Sequence, residues 1–285
     1  ARIISKKDGH YGTYFSFAYH CLDPSLIASE TLNEMHSTIL MSGTLIPIEM
    51  HKNVLGIKNV ESITLESPFP RKNRRDFVTQ GLTSKYSERS EANYNAYADC
   101  IAEIADNVPG NIGVYFPSYA FRDTIHRLLE QKTSKKMILE ESGATTQAKR
   151  ELLKDFASSA KKGSMLLAVV GANFAEGVDF PGEMMLATVI AGVPLERPSL
   201  LTKSMIDYYD KKFGRGWDFA YTYPAVNRAV QAAGRCIRSE TDKGLIFFLD
   251  NRFMWPKYKE AMPKDIHLES ITDIKQEVSG FYSSS

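Results

Sequence analysis

Gln231, Gly234, Arg235 and Arg238 stand at positions i, i+3, i+4 and i+7 of one short segment. On a helix these four share a face. Val226, Val230, Ala233 and Ile237 form an apolar stripe roughly 120° away, at about 100° per residue. Such a helix buries one side and presents two arginines and a glutamine on another. Glycine at 234 keeps the polar face low, so a partner can come close. Two planar guanidinium groups on one face suit a polyphosphate whose charge shifts during phosphoryl transfer. The plainer reading of an isolated R-x-x-R is a surface helix with solvated or salt-bridged arginines. Here the pair closes a series of strand and helix signals, which favours the phosphate reading.

A second constellation follows the apolar run 165–170. The loop Gly171-Ala172-Asn173-Phe174-Ala175-Glu176-Gly177-Val178-Asp179-Phe180-Pro181-Gly182 holds three glycines. In open parallel sheets ligands sit at the carboxyl ends of strands. Glycines there let backbone N–H groups approach a phosphate or a ribose. Asp179 is suited to accept a ribose hydroxyl or to pair with an arginine of the 231–238 segment, and Glu176 to either task. Read as an acid/base dyad, Glu176 and Asp179 would suggest a hydrolase, but their separation cannot be read from sequence. A purely structural strand-to-helix turn is the third reading.

Phe116-Pro117-Ser118-Tyr119 ends another apolar run and opens a helix, so a hydroxyl and free helix-start N–H groups face one point. Ser42-Gly43-Thr44 is a tight turn of short hydroxyl residues. Arg71, Lys72, Arg74 and Arg75 form the dense basic run; a solvated linker is its default reading and a phosphate-facing strip the alternative. Trp217, Tyr221 and Tyr223, with Arg215 beside them, suit either base stacking or packing between domains. Arg197 follows a further apolar run.

Alternating strand and helix signals position these residues. Strands are expected at 75–79, 112–116, 136–139, 165–170, 185–193 and 245–249, and helices at 90–108, from Ser118, at 146–156 and at 200–212. Pro224 is placed for the first turn of the motif helix. Repeated β-α units argue for an α/β fold, a parallel sheet with helices on both faces. Before residue 71 the signals differ: strands at 13–19 and 38–41 and a helix at 29–35. The tail 256–285 has weak periodicity, and its last residues are expected to fray.

Composition excludes several classes. Hydrophobic residues make up 43% of the 285, enough for a real core. Net charge is +1, from 35 basic and 34 acidic residues, so any nucleic-acid contact must come from a local patch. No apolar run approaches the ~20 residues needed to span a bilayer, and the start carries no secretory pattern. Cys21, Cys100 and Cys236 are far apart, as expected of reduced thiols in a cytosolic-type compartment. The six histidines are scattered, and no metal site is expected. The chain holds no G-x-x-x-x-G-K-[ST] and no acidic pair of the type that holds Mg²⁺ in motor proteins.

Q-x-x-G-R-x-x-R at 231–238 resembles the last motif of superfamily 2 helicases, and residues 227–252 resemble the XPD (xeroderma pigmentosum group D) branch, DNA helicases of nucleotide excision repair. Thr241-Asp242-Lys243-Gly244 and Leu249-Asp250-Asn251-Arg252-Phe253 are similar to that branch as well. The resemblance covers about residues 15–255 and is strongest over 165–255. It implies a RecA-like (P-loop NTPase-like) second motor domain without Walker A over 71–255, a remnant of the first motor domain over 1–70, and a tail over 256–285. Catalytic roles fall on Arg235, Arg238 and Gln231, with Arg235 and Arg238 as arginine fingers. Glu176, Gly177, Asp179 and Gly234 fall on the ATP side. Ser118, Tyr119, Asn173, Phe174 and Arg197 fall on the DNA side. Ser42, Gly43 and Thr44 would couple the two, and Asp242 and Asp250 would brace the arginines, with Arg252 beside them in the layer behind the site.

The resemblance further implies ATP with Mg²⁺ held mainly by the other motor domain, and a 4Fe–4S cluster in sequence upstream, none in this chain. Partners would be single-stranded DNA, the first motor domain and repair factors, with no membrane. Travel would be 5′ to 3′. The compartment would be cytoplasmic in a prokaryote such as an archaeon and nuclear in a eukaryote. This chain alone is expected to be inactive. Two alternatives are an iron–sulfur helicase of the damage-inducible branch and a RecA-like scaffold module without catalysis.

Overall fold

The computed structural model describes residues 1–9, 12–172, 174–175, 180 and 182–283. By packing, the chain divides into two units. One comprises 1–64 with 195–225, the other 65–194 with 226–285.

The first unit carries an antiparallel hairpin of β1 (Arg2–Gly9) and β2 (Gly12–Tyr19), followed by α1 (Ser25–Glu34) and α2 (Ile48–Leu55). The strand expected at 38–41 is not formed; the Ser42-Gly43-Thr44 turn is reached through irregular chain. The apolar residues Ile39, Leu40 and Met41 have no partner strand among the described residues to satisfy their backbone. The later segment 195–225 joins this unit through an ion-paired cluster. Asp23, at the start of α1, accepts hydrogen bonds from Tyr208 Oη (2.5 Å), Lys212 Nζ (2.7 Å) and Ser25 Oγ (2.5 Å).

The second unit is built on a seven-stranded sheet in which every pairing is parallel. Its strands are β3 (Arg74–Val78), β4 (Ile112–Phe116), β5 (Lys136–Leu139), β6 (Ser164–Val169), β7 (Ala187–Ile190), β8 (Gly244–Phe248) and β9 (Leu268–Ser270). They lie in the order β5-β6-β4-β7-β8-β3-β9. All residues of β4, β6, β7 and β8 are buried. That explains why these strands read as continuous apolar runs rather than alternating ones.

On one face Val114, Phe116, Leu167, Val189 and Phe247 pack with Ile101, Ile104, Phe121 and Ile125 of the helices α3 (Glu91–Asn107) and α4 (Tyr119–Leu129). The alternate residues Tyr115, Leu166, Thr188, Ile190 and Phe248 turn to the other face and are equally buried. That side is covered in part by the segment Gly234–Cys236, which packs on β7 and β8, and α5 (Thr146–Ser158) buries Phe156. Each fully buried large side chain contributes about 1.5–3 kcal/mol.

Helix starts follow their caps. The hydroxyls of Ser90, Ser118, Thr145 and Ser199 each accept from a backbone N–H three residues on, opening α3, α4, α5 and α6 (Leu200–Phe213). The tail is more ordered than its composition suggests. After α8 (Pro256–Lys259), β9 extends the sheet, and α9 (Ile274–Ser283) buries Ile274 and Val278 in the core. The Tyr282 hydroxyl donates to the Leu186 carbonyl at 2.6 Å, and Ser284 and Ser285 lie outside the described residues. Nor is the basic run a linker. Arg71–Asn73 is a 3-10 turn into β3, and Arg74 and Arg75 are ion-paired with Asp76, Asp265, Glu269 and Glu277.

Candidate nucleotide and nucleic-acid site

Because the sheet is wholly parallel, the residues that follow its strands gather along one edge. Ser84 lies in the segment after β3, Ser118 after β4, Glu140 after β5, Gly171 to Ala175 after β6, Pro194 after β7 and Asp250 after β8.

The motif helix does not run the length its spacing suggests. A π-turn (Asp218–Thr222) leads into α7 (Tyr223–Ala233), and the chain then tightens into a 3-10 turn over Gly234–Cys236. Ile237 is extended. Arg238 therefore leaves the helical face it was expected to share with Gln231, Gly234 and Arg235. The tightening brings Cys236 inward against Leu245 and Gly244, where a β-carbon on Gly244 would stand 2.8 Å from the Cys236 sulfur.

Arg235 is only 8% exposed. Its Nε (3.1 Å) and Nη2 (2.7 Å) both donate to the carbonyl oxygen of Ala175. Gln231, Gly234 and Arg238 are exposed. Tyr115 reports on both arginines. Burial pushes its hydroxyl well above the ordinary range, and the charges of Arg235 and Arg238 act to pull it down. It stays protonated and donates to the Phe174 carbonyl at 3.4 Å. Arg228, further up α7, donates to the Pro194 carbonyl at 3.3 Å. α7 and the turn after it thus reach the ends of β6 and β7.

Several expected roles move. Phe174 was placed on the DNA side, yet its ring is fully buried and only its backbone faces polar partners. An aromatic in the turn after a buried strand gains more from the core than from solvent. Asp250 does not brace Arg235 or Arg238; its partners are Arg252 and Ser84. Arg252 and Asp250 pair with each other, Nε to Oδ1 at 2.9 Å and Nη2 to Oδ2 at 2.8 Å. Both also bind Ser84: its N–H (2.7 Å) and Oγ (2.9 Å) donate to Asp250, and Arg252 Nη2 donates to Ser84 Oγ at 2.7 Å. Burial disfavours the Arg252 charge, but the bonds and charge of Asp250 outweigh it and hold the guanidinium above its ordinary value.

Asp242 does serve the motif, through backbone: it accepts from the N–H groups of Arg238 (2.7 Å) and Ser239 (2.9 Å). Glu176, Gly177, Asp179 and Asn173 lie outside the described residues.

Ser118 caps α4, its Oγ accepting from the Phe121 N–H at 3.3 Å, and is half-buried. The Tyr119 ring lies against the Arg122 guanidinium at 4.9 Å. Arg197 is exposed, in the segment that belongs to the first unit. In that unit too, Ser42 and Thr44 form a self-bonded turn, the Thr44 N–H donating to Ser42 Oγ at 3.2 Å. Tyr223 is buried with its hydroxyl bonded to Arg215, which removes it from stacking; Trp217 is exposed, edge-on to Tyr221.

Glu140 is the residue that sequence reasoning missed. It is fully buried, and its carboxylate oxygens accept from the N–H groups of Val169 (2.9 Å) and Phe174 (3.2 Å). Its position just after a strand of the parallel set was the available signal.

Among the described residues no cluster of His, Cys, Asp or Glu could hold a metal ion, and no helix is long and apolar enough to cross a membrane.

The fold is that of a helicase motor domain, and comparison with known proteins agrees. Residues 101–269 match the helicase C-terminal domain model, and the chain belongs to that family. Within it the chain is XPD-like. It is 30% identical over 267 residues to the probable ATP-dependent helicase MJ0942 of Methanocaldococcus jannaschii, covering 86% of this chain and 39% of the relative. It is 29% identical over 230 residues to the ATP-dependent DNA helicase XPD of Sulfolobus acidocaldarius, covering 78% and 40%. It is 24% identical over 262 residues to the XPD/RAD3 subunit of the general transcription and DNA repair factor IIH of Saccharomyces cerevisiae, covering 86% and 33%. A solved XPD helicase structure superposes with a TM-score of 0.67 at 25% identity, covering 87% of this chain and 45% of that one. The chain spans between a third and two fifths of the length of these relatives.

Proposed function

We propose that this chain is the C-terminal motor part of an ATP-dependent DNA helicase that moves 5′ to 3′ in nucleotide excision repair. The observation that carries the reading is the grip of Arg235 on the Ala175 carbonyl. It joins the motif after α7 to the loop after β6, and so sets a cation at the strand ends where a polyphosphate is expected.

In this reading Arg235, Arg238 and Gln231 act on the nucleotide, and Glu176, Gly177, Asp179 and Gly234 border it. Residues 1–70 are the tail of the first motor domain, 71–255 the second domain and 256–285 its closing tail. Mg²⁺ is held mainly by the other motor part. The 4Fe–4S cluster belongs to sequence outside this chain. Bound ATP supplies the free energy for movement. The chain's own residues hold and release: Arg235 stabilises charge on the transferring phosphoryl group, a contribution of about 10³–10⁵ in rate for arginine fingers. The amides at the start of α4, with Ser118 and Tyr119, hold the single strand's backbone, together with Asn173 and Arg197. Ser42, Gly43 and Thr44 couple the two sites. Support for a repair role is the name of the yeast relative, a helicase subunit of the general transcription and DNA repair factor IIH.

Arg235→Ala, in the enzyme carrying both motor parts, tests this. DNA-stimulated ATP hydrolysis is expected to fall by about 10³ or more, with single-strand binding retained. Unchanged turnover would refute the assignment. Hydrolysis by this chain alone, above a protein-free blank, would mean that a nucleotide site of its own exists.

A further inference from the structure

We propose that Glu140 is a positioning residue that locks the loop after β6 to the start of α4, so that the phosphate side and the DNA side move as one piece. The inference rests on the functional reading above and goes beyond its set of residues.

The carboxylate is fully buried, a costly placement unless its oxygens are satisfied. They are satisfied by the loop itself. Oε2 takes the N–H of Val169, the last residue of β6, and Oε1 takes that of Phe174. One carboxylate therefore holds the amides of both Val169 and Phe174. The next carbonyl, that of Ala175, is the one Arg235 holds. In the other direction the Glu140 carbonyl accepts from Arg122 Nη1 of α4. The Arg122 guanidinium lies under the Tyr119 ring, one residue past the Ser118 cap. A continuous path runs Arg235, Ala175, Phe174, Glu140, Arg122, Tyr119. Hydrogen bonds to an ionised group are shorter and stronger than neutral ones, so a carboxylate on two backbone amides is a firmer tie than a loop of this length makes by itself.

The test is Glu140→Gln in the enzyme carrying both motor parts. Glutamine keeps one acceptor and turns a donor toward the other amide. Amide exchange over residues 170–175 is expected to rise about tenfold, with β4 and β7 unchanged. The turnover number for DNA-stimulated ATP hydrolysis is expected to fall about tenfold, while the DNA concentration for half-stimulation moves by less than about twofold. A merely structural role predicts the opposite: exchange rising across the whole sheet and turnover falling only with the folded fraction. That result overturns the proposal, as does parental turnover in a variant whose loop exchange has risen. Should the variant fail to fold, the parent decides: a Phe174 amide that exchanges as fast as unstructured chain refutes the tie. A parent enzyme without ATPase would strike the functional reading instead, and the exchange arm would still judge Glu140.

Discussion

Arg235 holds the carbonyl oxygen of Ala175 with two donors of one guanidinium, Nε at 3.1 Å and Nη2 at 2.7 Å. The pair spans sixty residues of sequence and ties the turn after α7 to the loop after β6. A lysine cannot reproduce it, because an ammonium is a point charge without a planar fork. Arg235→Lys is therefore expected to lose nearly as much DNA-stimulated turnover as Arg235→Ala, within about tenfold. Steady-state ATPase assays of the two variants side by side check this; a lysine variant near parental activity would show that charge alone matters.

Asp250 and Arg252 form a buried pair, 0% and 6% exposed at the side chain. Asp250→Ala or Arg252→Met alone is expected to cost about 3–5 kcal/mol, since each leaves an uncompensated buried charge. The double variant is expected to cost clearly less than the sum of the two. Urea unfolding of all four proteins measures the coupling, and simple additivity would contradict it.

Gly192 has φ +114°, and a β-carbon there would stand 2.4 Å from Cβ of Ser84. Gly192→Ala should cost about 1–3 kcal/mol through strain and displacement of the serine that anchors Asp250 and Arg252. Adding Ser84→Gly should relieve the clash without restoring the lost bonds. Thermal melting of the single variant reads this, and an unshifted midpoint would speak against the close approach.

Acid should loosen the first unit. Burial works to raise the Asp23 carboxyl, but hydrogen bonds from Lys212, Ser25 and Tyr208 outweigh it and hold the group well below the usual carboxylate range. A depressed folded value means that the stabilisation is complete above the unfolded value of about 3.9 and drains away as pH falls below it. Asp23→Asn should therefore flatten the acid limb of stability below pH of about 4, and lower stability at neutral pH. Unfolding monitored from pH 7 to pH 3 compares parent and variant; identical acid limbs would refute the role of Asp23.

Strands of the second unit were the most legible part of the chain. The bounds expected for β4 and β5 are those observed, and β6 and β8 differ by one residue at each end. Short apolar runs closed by Pro, Gly or a capping serine are local signals, and these strands are buried on both faces. β9 and α9 were not legible, because three polar-flanked residues become a strand only when β3 offers an edge. The run at 38–41 failed for the complementary reason, having strand composition but no strand beside it among the described residues.

By itself the sequence determined the order of strands and helices from β3 to β8, the cap at Ser118 and the presence of two arginines after a helix. Those depend on propensity and spacing over a few residues. Only the tertiary structure decided which arginine turns inward, that Phe174 is core, that Asp250 and Arg252 anchor Ser84 across 166 and 168 residues, and that Glu140 staples the loop after β6. It also decided that α6 packs with the N-terminal unit. Partner choice among polar side chains depends on how distant strands align, and no local pattern in the chain encodes that alignment.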